Sequence, residues 1–178
     1  MSLADDEKES MGLRRRLFAL LAFTTAIGGL LLSGTSAQAA GNWQEIRAFT
    51  SQKCLDVAGG SQDNFAPVVQ FSCRNTDNQL WAAVFIDGGY YKFVSRNTGK
   101  CLDATGTANG SLTQQLDCNA TSSDEWILEG AGVGLSYKFV NRVSGKCLDL
   151  PGGSLSDNTR IQVWDCVPGN TNQIWDFV

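Results

Sequence analysis

Histidine is missing from all 178 residues of this chain. It is the commonest general base in enzymes and the commonest protein ligand of transition metals, so its absence narrows the chemistry that the chain can perform. Any catalysis would have to depend on carboxylates alone. We therefore expect no enzyme, no metal site and no cofactor.

Basic residues are also few. Beyond residue 39 the chain has ten lysines and arginines against fourteen aspartates and glutamates, a net charge of −4. Nucleic-acid partners are not expected, because the surfaces that bind them are strongly basic.

Long apolar runs are missing except near the N-terminus, where sixteen apolar or small residues extend from Leu17 to Leu32. A membrane-spanning helix needs about 20 such residues, which argues against an anchor. Three arginines precede the run, and Ala37-Gln38-Ala39 follows it, which is typical of a secretory signal peptide and its cleavage site. We predict that residues 1–39 are removed and that residues 40–178 form one secreted domain that does not insert into membranes.

The chain has six cysteines, all of them in the predicted secreted part. An even number of cysteines in an exported chain indicates disulfide bonds. A zinc site is disfavoured because no pair has the C-x-x-C spacing. The residues alone allow about fifteen ways of pairing six cysteines.

A unit of about 46 residues repeats three times in the secreted part. Its most visible element is "KCLD", which recurs with Cys54, Cys101 and Cys147, and the segments that begin at Tyr91 and Tyr137 agree at nearly every position over thirteen residues. We place the repeats at about 42–86, 87–131 and 132–178. Such a period indicates that each unit is one supersecondary structure.

Each unit contains four short apolar or alternating segments separated by Gly, Asn, Asp or Ser, the pattern of β-strands joined by turns. A propeller needs about four to eight such units, and a solenoid needs distinct caps at its ends. Three equivalent units closed around a shared core are therefore the simplest arrangement of this all-β chain.

The chain from about Asn42 to Val178 resembles the ricin-B type lectins. The resemblance rests on the Cys-Leu-Asp segments, on a second cysteine 17 to 19 residues later in each unit, and on the Gln-x-Trp elements "NQLW" and "NQIW". It implies a β-trefoil fold with one disulfide inside each repeat, joining Cys54 to Cys73, Cys101 to Cys118, and Cys147 to Cys166.

Several repeated residues are interpreted as structural. Trp81, Trp126 and Trp175 recur once per unit among apolar neighbours and are expected in the shared core. The lysine of "KCLD" is expected to be a solvated strand residue without a site role.

The aspartate of "KCLD" has two possible roles on residue type alone, a turn former bonded to its own backbone or a ligand group with about four acceptor positions. The family resemblance favours the ligand role. It implies that this aspartate holds two sugar hydroxyls and that an aromatic residue two positions before the second cysteine stacks on the sugar. It also implies that an asparagine and two glutamines complete the pocket.

The third repeat carries the whole set implied by the resemblance: Asp149, Gln162, Trp164, Asn172 and Gln173. The first repeat has Val69 in place of one glutamine and keeps the other members: Asp56, Phe71, Asn78 and Gln79. We predict the best sugar site in the third repeat and a weaker one in the first.

The second repeat keeps Asp103 and Gln114 but has Leu116 at the stacking position and Asp124 in place of a glutamine. A second carboxylate near Asp103 would add like-charge repulsion. We interpret this repeat as scaffold. It also contains two sequons, beginning at Asn109 and Asn119, which would be acceptors in a source that glycosylates secreted proteins.

The resemblance implies a secreted lectin that recognises galactose, N-acetylgalactosamine or a plant or microbial polysaccharide. Two alternatives stay open. One is an accessory carbohydrate-binding module that acts with a glycoside hydrolase, and the other is a trefoil that has drifted to protein binding or inhibition.

Overall fold

The computed structural model describes residues 42–119, 121–132 and 134–178. The signal peptide predicted for residues 1–39 lies outside the described residues. In the described ranges the chain forms thirteen β-strands and several single-turn 3₁₀ segments, and it forms no α-helix there. Across the same ranges, no helix is long and apolar enough to cross a bilayer.

Four strands belong to each of the first two repeats, and five to the third. The first repeat contains β1 to β4: Gln44–Ala48, Cys54–Val57, Val68–Phe71 and Leu80–Phe85. The second contains β5 to β8: Tyr90–Ser95, Cys101–Ala104, Ser111–Leu116 and Trp126–Gly130. The third contains β9 to β13: Ser136–Asn141, Cys147–Asp149, Thr159–Arg160, Gln162–Trp164 and Trp175–Phe177.

The first and last strands of each repeat form a closed barrel of six antiparallel strands. The ring runs from β1 to β4, β5, β8, β9 and β13, and β13 pairs with β1 again. Closure leaves the barrel without free edges, so the backbone groups of its strands find partners inside the fold.

The middle strands of each repeat form three hairpins, β2 with β3, β6 with β7, and β10 with β12. Neighbouring hairpins also pair with one another, through β3 with β11, β7 with β12, and a bridge between Pro67 and Gln114. A six-stranded barrel with three associated hairpins is a β-trefoil, as the family resemblance implies.

The repeated tryptophans join each hairpin to the barrel at the "KCLD" leucine. Trp81, Trp126 and Trp175 are buried in the core, as the sequence predicts. Each indole Nε1 donates a hydrogen bond to the main-chain oxygen of the "KCLD" leucine of its own repeat, at 2.9 to 3.0 Å. The leucine side chains are themselves fully buried, so every hairpin is fixed to the barrel by packing and by a buried hydrogen bond.

Each repeat is also closed by the disulfide that the family resemblance implies. The bonds join Cys54 to Cys73, Cys101 to Cys118, and Cys147 to Cys166. Each encloses 17 to 19 residues, a loop whose closure contributes about 3 kcal/mol in the chain-entropy account.

Neighbouring repeats are joined by a set of side-chain contacts that we call the inter-repeat clasps. Asn64 exchanges two hydrogen bonds with Asp117, one to its carboxylate and one from its main-chain nitrogen, and Asn109 does the same with Asp165. In the third clasp the carboxylate lies on the other side. Asp157 stands where the other two clasps have an asparagine, and it accepts hydrogen bonds from the main-chain nitrogen and the hydroxyl of Ser72. The clasps join the first repeat to the second, the second to the third, and the third to the first.

The lysines of "KCLD" take part in these clasps, so the prediction that they are simply solvated is wrong. Lys53 pairs with Asp157, and Lys100 and Lys146 pair with Asp117 and Asp165. Hydrogen bonds from these cations are the largest cause of the lowered pKa of Asp157 and Asp165. Lys53 therefore joins the first repeat to the third, whereas Lys100 and Lys146 hold the clasp aspartate of their own repeat.

Candidate functional site

The site of the third repeat is built on the β10–β12 hairpin. Asp149 ends β10 and faces Gln162 across the hairpin, and the amide Nε2 of Gln162 donates to Asp149 Oδ1 at 2.8 Å. Asp149 is buried, yet it lines an open recess of about 350 Å³. One carboxylate oxygen is therefore held in place by the protein, which orients the group toward the recess.

Trp164 supplies an aromatic surface at the rim of this recess. It lies at the end of β12, and 41% of its surface is exposed, in contrast to the three buried core tryptophans. An exposed indole beside a fixed carboxylate suits a pyranose ring, which has an apolar C–H face and an edge of hydroxyls.

The two remaining residues predicted for the third site have different positions. Asn172 lines the recess, and its Oδ1 accepts a hydrogen bond from the Thr50 hydroxyl of the first repeat at 3.0 Å. Gln173 is fully buried: its Nε2 donates to the main-chain oxygen of Asp165, and its Oε1 accepts from the nitrogen of Val167. Gln173 thus holds the segment that follows Trp164 and does not face the recess.

A turn with two glycines brings the backbone close to Asn172. Gly153 has φ of +63°, and a Cβ added there would lie 2.8 Å from Asn172 Oδ1. Both the left-handed backbone and the close approach require glycine at this position.

The first repeat forms a similar recess of about 310 Å³ around Asp56. Asp56 Oδ2 accepts from Gln79 Nε2 at 2.8 Å and from Asn78 Nδ2 at 3.0 Å. Gln79 is fully buried, so here too the glutamine of the Gln-x-Trp element positions other groups. Burial raises the pKa of Asp56 above its ordinary value, and the bonds from Gln79 and Asn78 oppose that rise.

Two features distinguish the first recess from the third. Val69 is buried opposite Asp56 and offers no hydrogen-bond donor. The side-chain amides of Asn78 and Gln79 donate to Asp56 instead. The guanidinium of Arg74 lies 4.5 Å from the centre of the Phe71 ring and lines the same recess. A sugar that stacks on Phe71 has to share this ring with Arg74 or displace it.

The second repeat contains a charge pair that was not anticipated. Asp124 is buried, and both of its oxygens lie 2.8 Å from Lys92 Nζ. Desolvation by burial is the largest cause of the raised pKa of Asp124, Lys92 opposes it, and the charge of Asp103 adds a smaller upward effect. The charge of Asp103 is therefore a minor cause of the raised pKa, and Lys92 opposes the effect of burial without cancelling it.

Asp103 keeps only part of the arrangement found in the other repeats. Its Oδ2 accepts from Gln114 Nε2 at 2.8 Å, and within the described residues its buried Oδ1 has no hydrogen-bond partner. Asp103 and Gln114 line a recess of about 280 Å³, together with Thr105, Thr107 and Ser123.

Residues 42–175 match the family model described as the ricin-type beta-trefoil lectin domain. The chain belongs to this family. Domains of this family are non-catalytic and bind carbohydrate, so the family supports a carbohydrate-binding role for the chain.

The chain is also similar to the solved structures of several proteins, among them the following three. The chain is 36% identical to ThreeFoil, a designed threefold-symmetric protein, with a TM-score of 0.74 over 76% of this chain and 97% of that one. It is 33% identical to part of an exo-beta-1,3-galactanase from Clostridium thermocellum, with a TM-score of 0.73 over 76% of this chain and 30% of that one. The ricin B-like lectin of Macrolepiota procera, solved with lactose, is 20% identical with a TM-score of 0.65 over 77% of this chain and 94% of that one, which shows the shared fold alone.

A fourth recess, of about 580 Å³, lies at one end of the barrel and differs from the sites of the ricin-type hairpins. Its lining includes Tyr91, Tyr137 and Phe177 and contains no charged residue. It therefore lacks the fixed carboxylate that each hairpin recess possesses.

A group of possible metal ligands, Glu45, Cys54 and Cys73, lies close together in the first repeat. The two sulfurs are bonded to each other, so neither is available as a thiolate ligand.

Proposed function

We propose that this chain is a secreted lectin that binds neutral, galactose-type glycans without chemical conversion, mainly through the recess of the third repeat. The observation that supports the proposal most strongly is the pairing of a buried, amide-held carboxylate, Asp149, with an exposed tryptophan, Trp164, at one recess. The carboxylate would hold two neighbouring hydroxyls, and the indole would cover the apolar face of the same ring.

The first repeat would act as a weaker second site. It offers Asp56, Asn78 and Phe71 around its recess, but Arg74 lies over the aromatic ring. A shallow site with one aromatic and one carboxylate binds a single sugar at about the millimolar level, so two sites on one polymer would supply the useful affinity.

A glycan-array screen of the chain secreted from its full precursor tests this function. We expect binding to galactose-type glycans and at least about tenfold weaker binding by Trp164→Ala and by Asp149→Ala, because each loses one of the two main contacts. Leu135→Ala, an exposed substitution outside the three hairpin recesses, is the matched control. A folded, disulfide-complete protein that binds no glycan would refute the lectin function and favour the protein-binding alternative.

N-terminal sequencing of the same secreted product tests the proposed export. The signal peptide predicted for residues 1–39 would give a product that begins at Ala40. A product that keeps the apolar run from Leu17 to Leu32 would contradict this cleavage.

A second candidate function is that of an accessory module working beside a glycoside hydrolase. It is favoured by the 33% identity to a segment of a galactanase. Binding to insoluble β-1,3-galactan, with no release of reducing sugar by the pure protein, would support the module function. Release of sugar that persists in Asp149→Ala and Asp56→Ala would instead require catalytic residues elsewhere.

A further inference from the structure

The fourth recess, at one end of the barrel, is asymmetric because the first repeat departs from the other two. Tyr91 and Tyr137 each lie ten residues before the first cysteine of their repeat, and Gln44 has this position in the first repeat. All three residues pair with the core tryptophan of their own repeat, so they are structurally equivalent. All three line the recess. The first repeat therefore has an amide where the others have a phenol ring.

A second set of equivalent residues shows the same departure. Leu128 and Phe177 lie two residues after the core tryptophans of the second and third repeats, and Ala83 lies two residues after that of the first. These three residues also line the recess. Ala83 is exposed, whereas Leu128 and Phe177 are half-buried. The first repeat thus lacks two large side chains at the barrel end, and the missing volume leaves open space beside Gln44 and Ala83.

The inner end of the recess is closed by the packed core. Residues two positions further along a strand lie on the same face, and here they are Ile46, Phe93 and Phe139, all fully buried. The Phe177 ring stacks on the rings of Phe93 and Phe139, with centroids 6.1 and 5.6 Å apart. It also meets the edge of Tyr137 at 5.7 Å. The recess is therefore a closed cup with an aromatic wall held by the core.

The lining indicates the chemical class of a ligand. No charged residue lines the cup within the described ranges, so a charged ligand would lose its hydration without gaining a partner. Three aromatic rings favour another ring, which can pack against them edge-to-face or with an offset. The polar groups that remain are two phenol hydroxyls and the Gln44 amide. A volume of about 580 Å³ in a barrel mouth suits a small molecule.

Exposed apolar side chains surround the opening of the cup. Leu135, which belongs to the lining, is 60% exposed, and Phe85, which packs on the edge of Tyr91 at 5.5 Å, is 61% exposed. An apolar surface of this kind on a secreted domain is typical of a binding site. A flat protein surface laid on the barrel end would leave the cup empty, whereas a ring-sized molecule fills it. The concave shape therefore favours a small ligand.

We propose that the fourth recess binds a small, uncharged aromatic molecule that carries one hydroxyl group. Its rings pack against Tyr91, Tyr137 and Phe177. They occupy the space beside Ala83, and the hydroxyl forms a hydrogen bond with the side-chain amide of Gln44. The fourth recess shares no lining residue with the three hairpin recesses. This binding activity is therefore independent of sugar binding.

Ala83→Leu is the discriminating variant, because it fills the cup with the residue that the second repeat has at the equivalent position. Leu128 shows that the fold accommodates leucine there, so the variant should have an unchanged or higher Tm. Val84→Leu is the matched control. It enlarges the next residue of the same strand, which is exposed and lies outside the lining.

Gln44→Met provides a second variant that does not depend on filling the cup. It keeps a long, unbranched side chain and removes the amide. We expect naphthol to bind this variant about two- to tenfold more weakly, because one neutral hydrogen bond is lost. Binding of naphthalene, which has no hydroxyl, should stay unchanged.

The experiment is an NMR titration of the secreted chain with naphthol, naphthalene and naphthoate, following the backbone amides of Gln44, Tyr91 and Phe177. We expect naphthol to shift these amides, and naphthoate to bind at least about tenfold more weakly because its charge has no partner in the cup. Ala83→Leu should bind naphthol at least about tenfold more weakly, and Val84→Leu should match wild type. Saturating lactose should leave the naphthol affinity unchanged.

Several results would overturn the proposal. They are a folded protein whose barrel-end amides do not respond to naphthol, equal affinity for naphthoate, or full affinity in Ala83→Leu. Shifts confined to the surroundings of Trp164 would mean stacking on an exposed indole and would also overturn it. A dimer in sedimentation experiments that is lost in Phe85→Ser and excludes naphthol would instead assign the barrel end to contact between two copies. Failure of lactose to bind would leave this site untouched, since the two activities use different residues.

Discussion

Asp124 replaces a glutamine that the other two repeats bury at the same position. Gln79 and Gln173 use both ends of their amides to hold neighbouring backbone segments, whereas Asp124 is a carboxylate that needs Lys92 beside it. Its raised pKa means that the environment still disfavours the charge in spite of Lys92. Folding therefore favours the protonated form of this group.

The consequence is a predictable pH dependence. Between the unfolded value near 3.8 and the higher folded pKa, the folded state binds more protons at Asp124 than the unfolded state, so the contribution of this group to the free energy of unfolding falls as pH rises. Asp124→Gln removes the titration. We expect the free energy of unfolding of this variant to rise relative to wild type between pH 3 and pH 7, measured by urea unfolding at both pH values. A relative fall would mean that the ion pair with Lys92 outweighs the cost of burial.

Gly153 and Gly152 form a matched pair for testing the turn that supports the third recess. Both have positive φ, but an added Cβ meets Asn172 only at Gly153 and has open space at Gly152. Gly152→Ala should lower the free energy of unfolding by about 1–2 kcal/mol through backbone strain alone. Gly153→Ala should lower it further and should also weaken sugar binding, because Asn172 has to move. Thermal unfolding and titration with lactose measure both effects, and equal behaviour of the two variants would contradict the role of the Asn172 contact.

At the scale of elements, the connection between each hairpin and the barrel depends on one buried indole. Trp126→Phe keeps most of the apolar packing but leaves the main-chain oxygen of Leu102 without its donor. Leaving a buried carbonyl unsatisfied costs about 1–3 kcal/mol, so the free energy of unfolding should fall by that amount. Chemical denaturation measures this loss.

Trp164→Phe is the control for that experiment, because the exposed Trp164 belongs to no core cluster. Its free energy of unfolding should stay within about 0.5 kcal/mol of wild type. A loss as large as that of Trp126→Phe would contradict the distinction between core and recess tryptophans.

The elements also show what could be predicted from the sequence. The three disulfides were implied by the threefold repeat together with the family resemblance, and the core tryptophans were predictable because one recurs in every repeat among apolar neighbours. The clasps and the Lys92–Asp124 pair were not, since nothing in a lysine or an asparagine specifies which of many carboxylates it will meet. Thr50 contacts Asn172 across 122 residues, and only the closed barrel brings them together.

At the scale of the whole molecule, recesses on three symmetry-related hairpins allow several sites to engage one polymer. Once one recess has bound the polymer, the second recess would meet another sugar of the same polymer at an effective concentration of about the millimolar level. The avidity for the polymer would then exceed the affinity of either recess for a single sugar. Phe71→Ala removes the platform of the first recess and leaves the third intact. We expect unchanged monosaccharide shifts in the third recess and about twofold weaker retention on galactan, measured by NMR and by affinity electrophoresis. The loss is small because the effective concentration is close to the millimolar dissociation constant of the second site.

The matched comparison for avidity is Leu135→Ala, which should behave as wild type in both assays. If Phe71→Ala retained its full affinity for the polymer, the first recess would have no part in binding.

The antiparallel pairing of β1 with β13 determines how this protein can be assembled. Glu45 and Val178 exchange both main-chain hydrogen bonds, so the ends of the domain lie side by side. During synthesis the barrel seen in this structure closes when β13 becomes available to pair with β1. For the same reason a peptide linker between the two ends, with a new opening cut between two repeats, should yield a circularly permuted protein that keeps every recess.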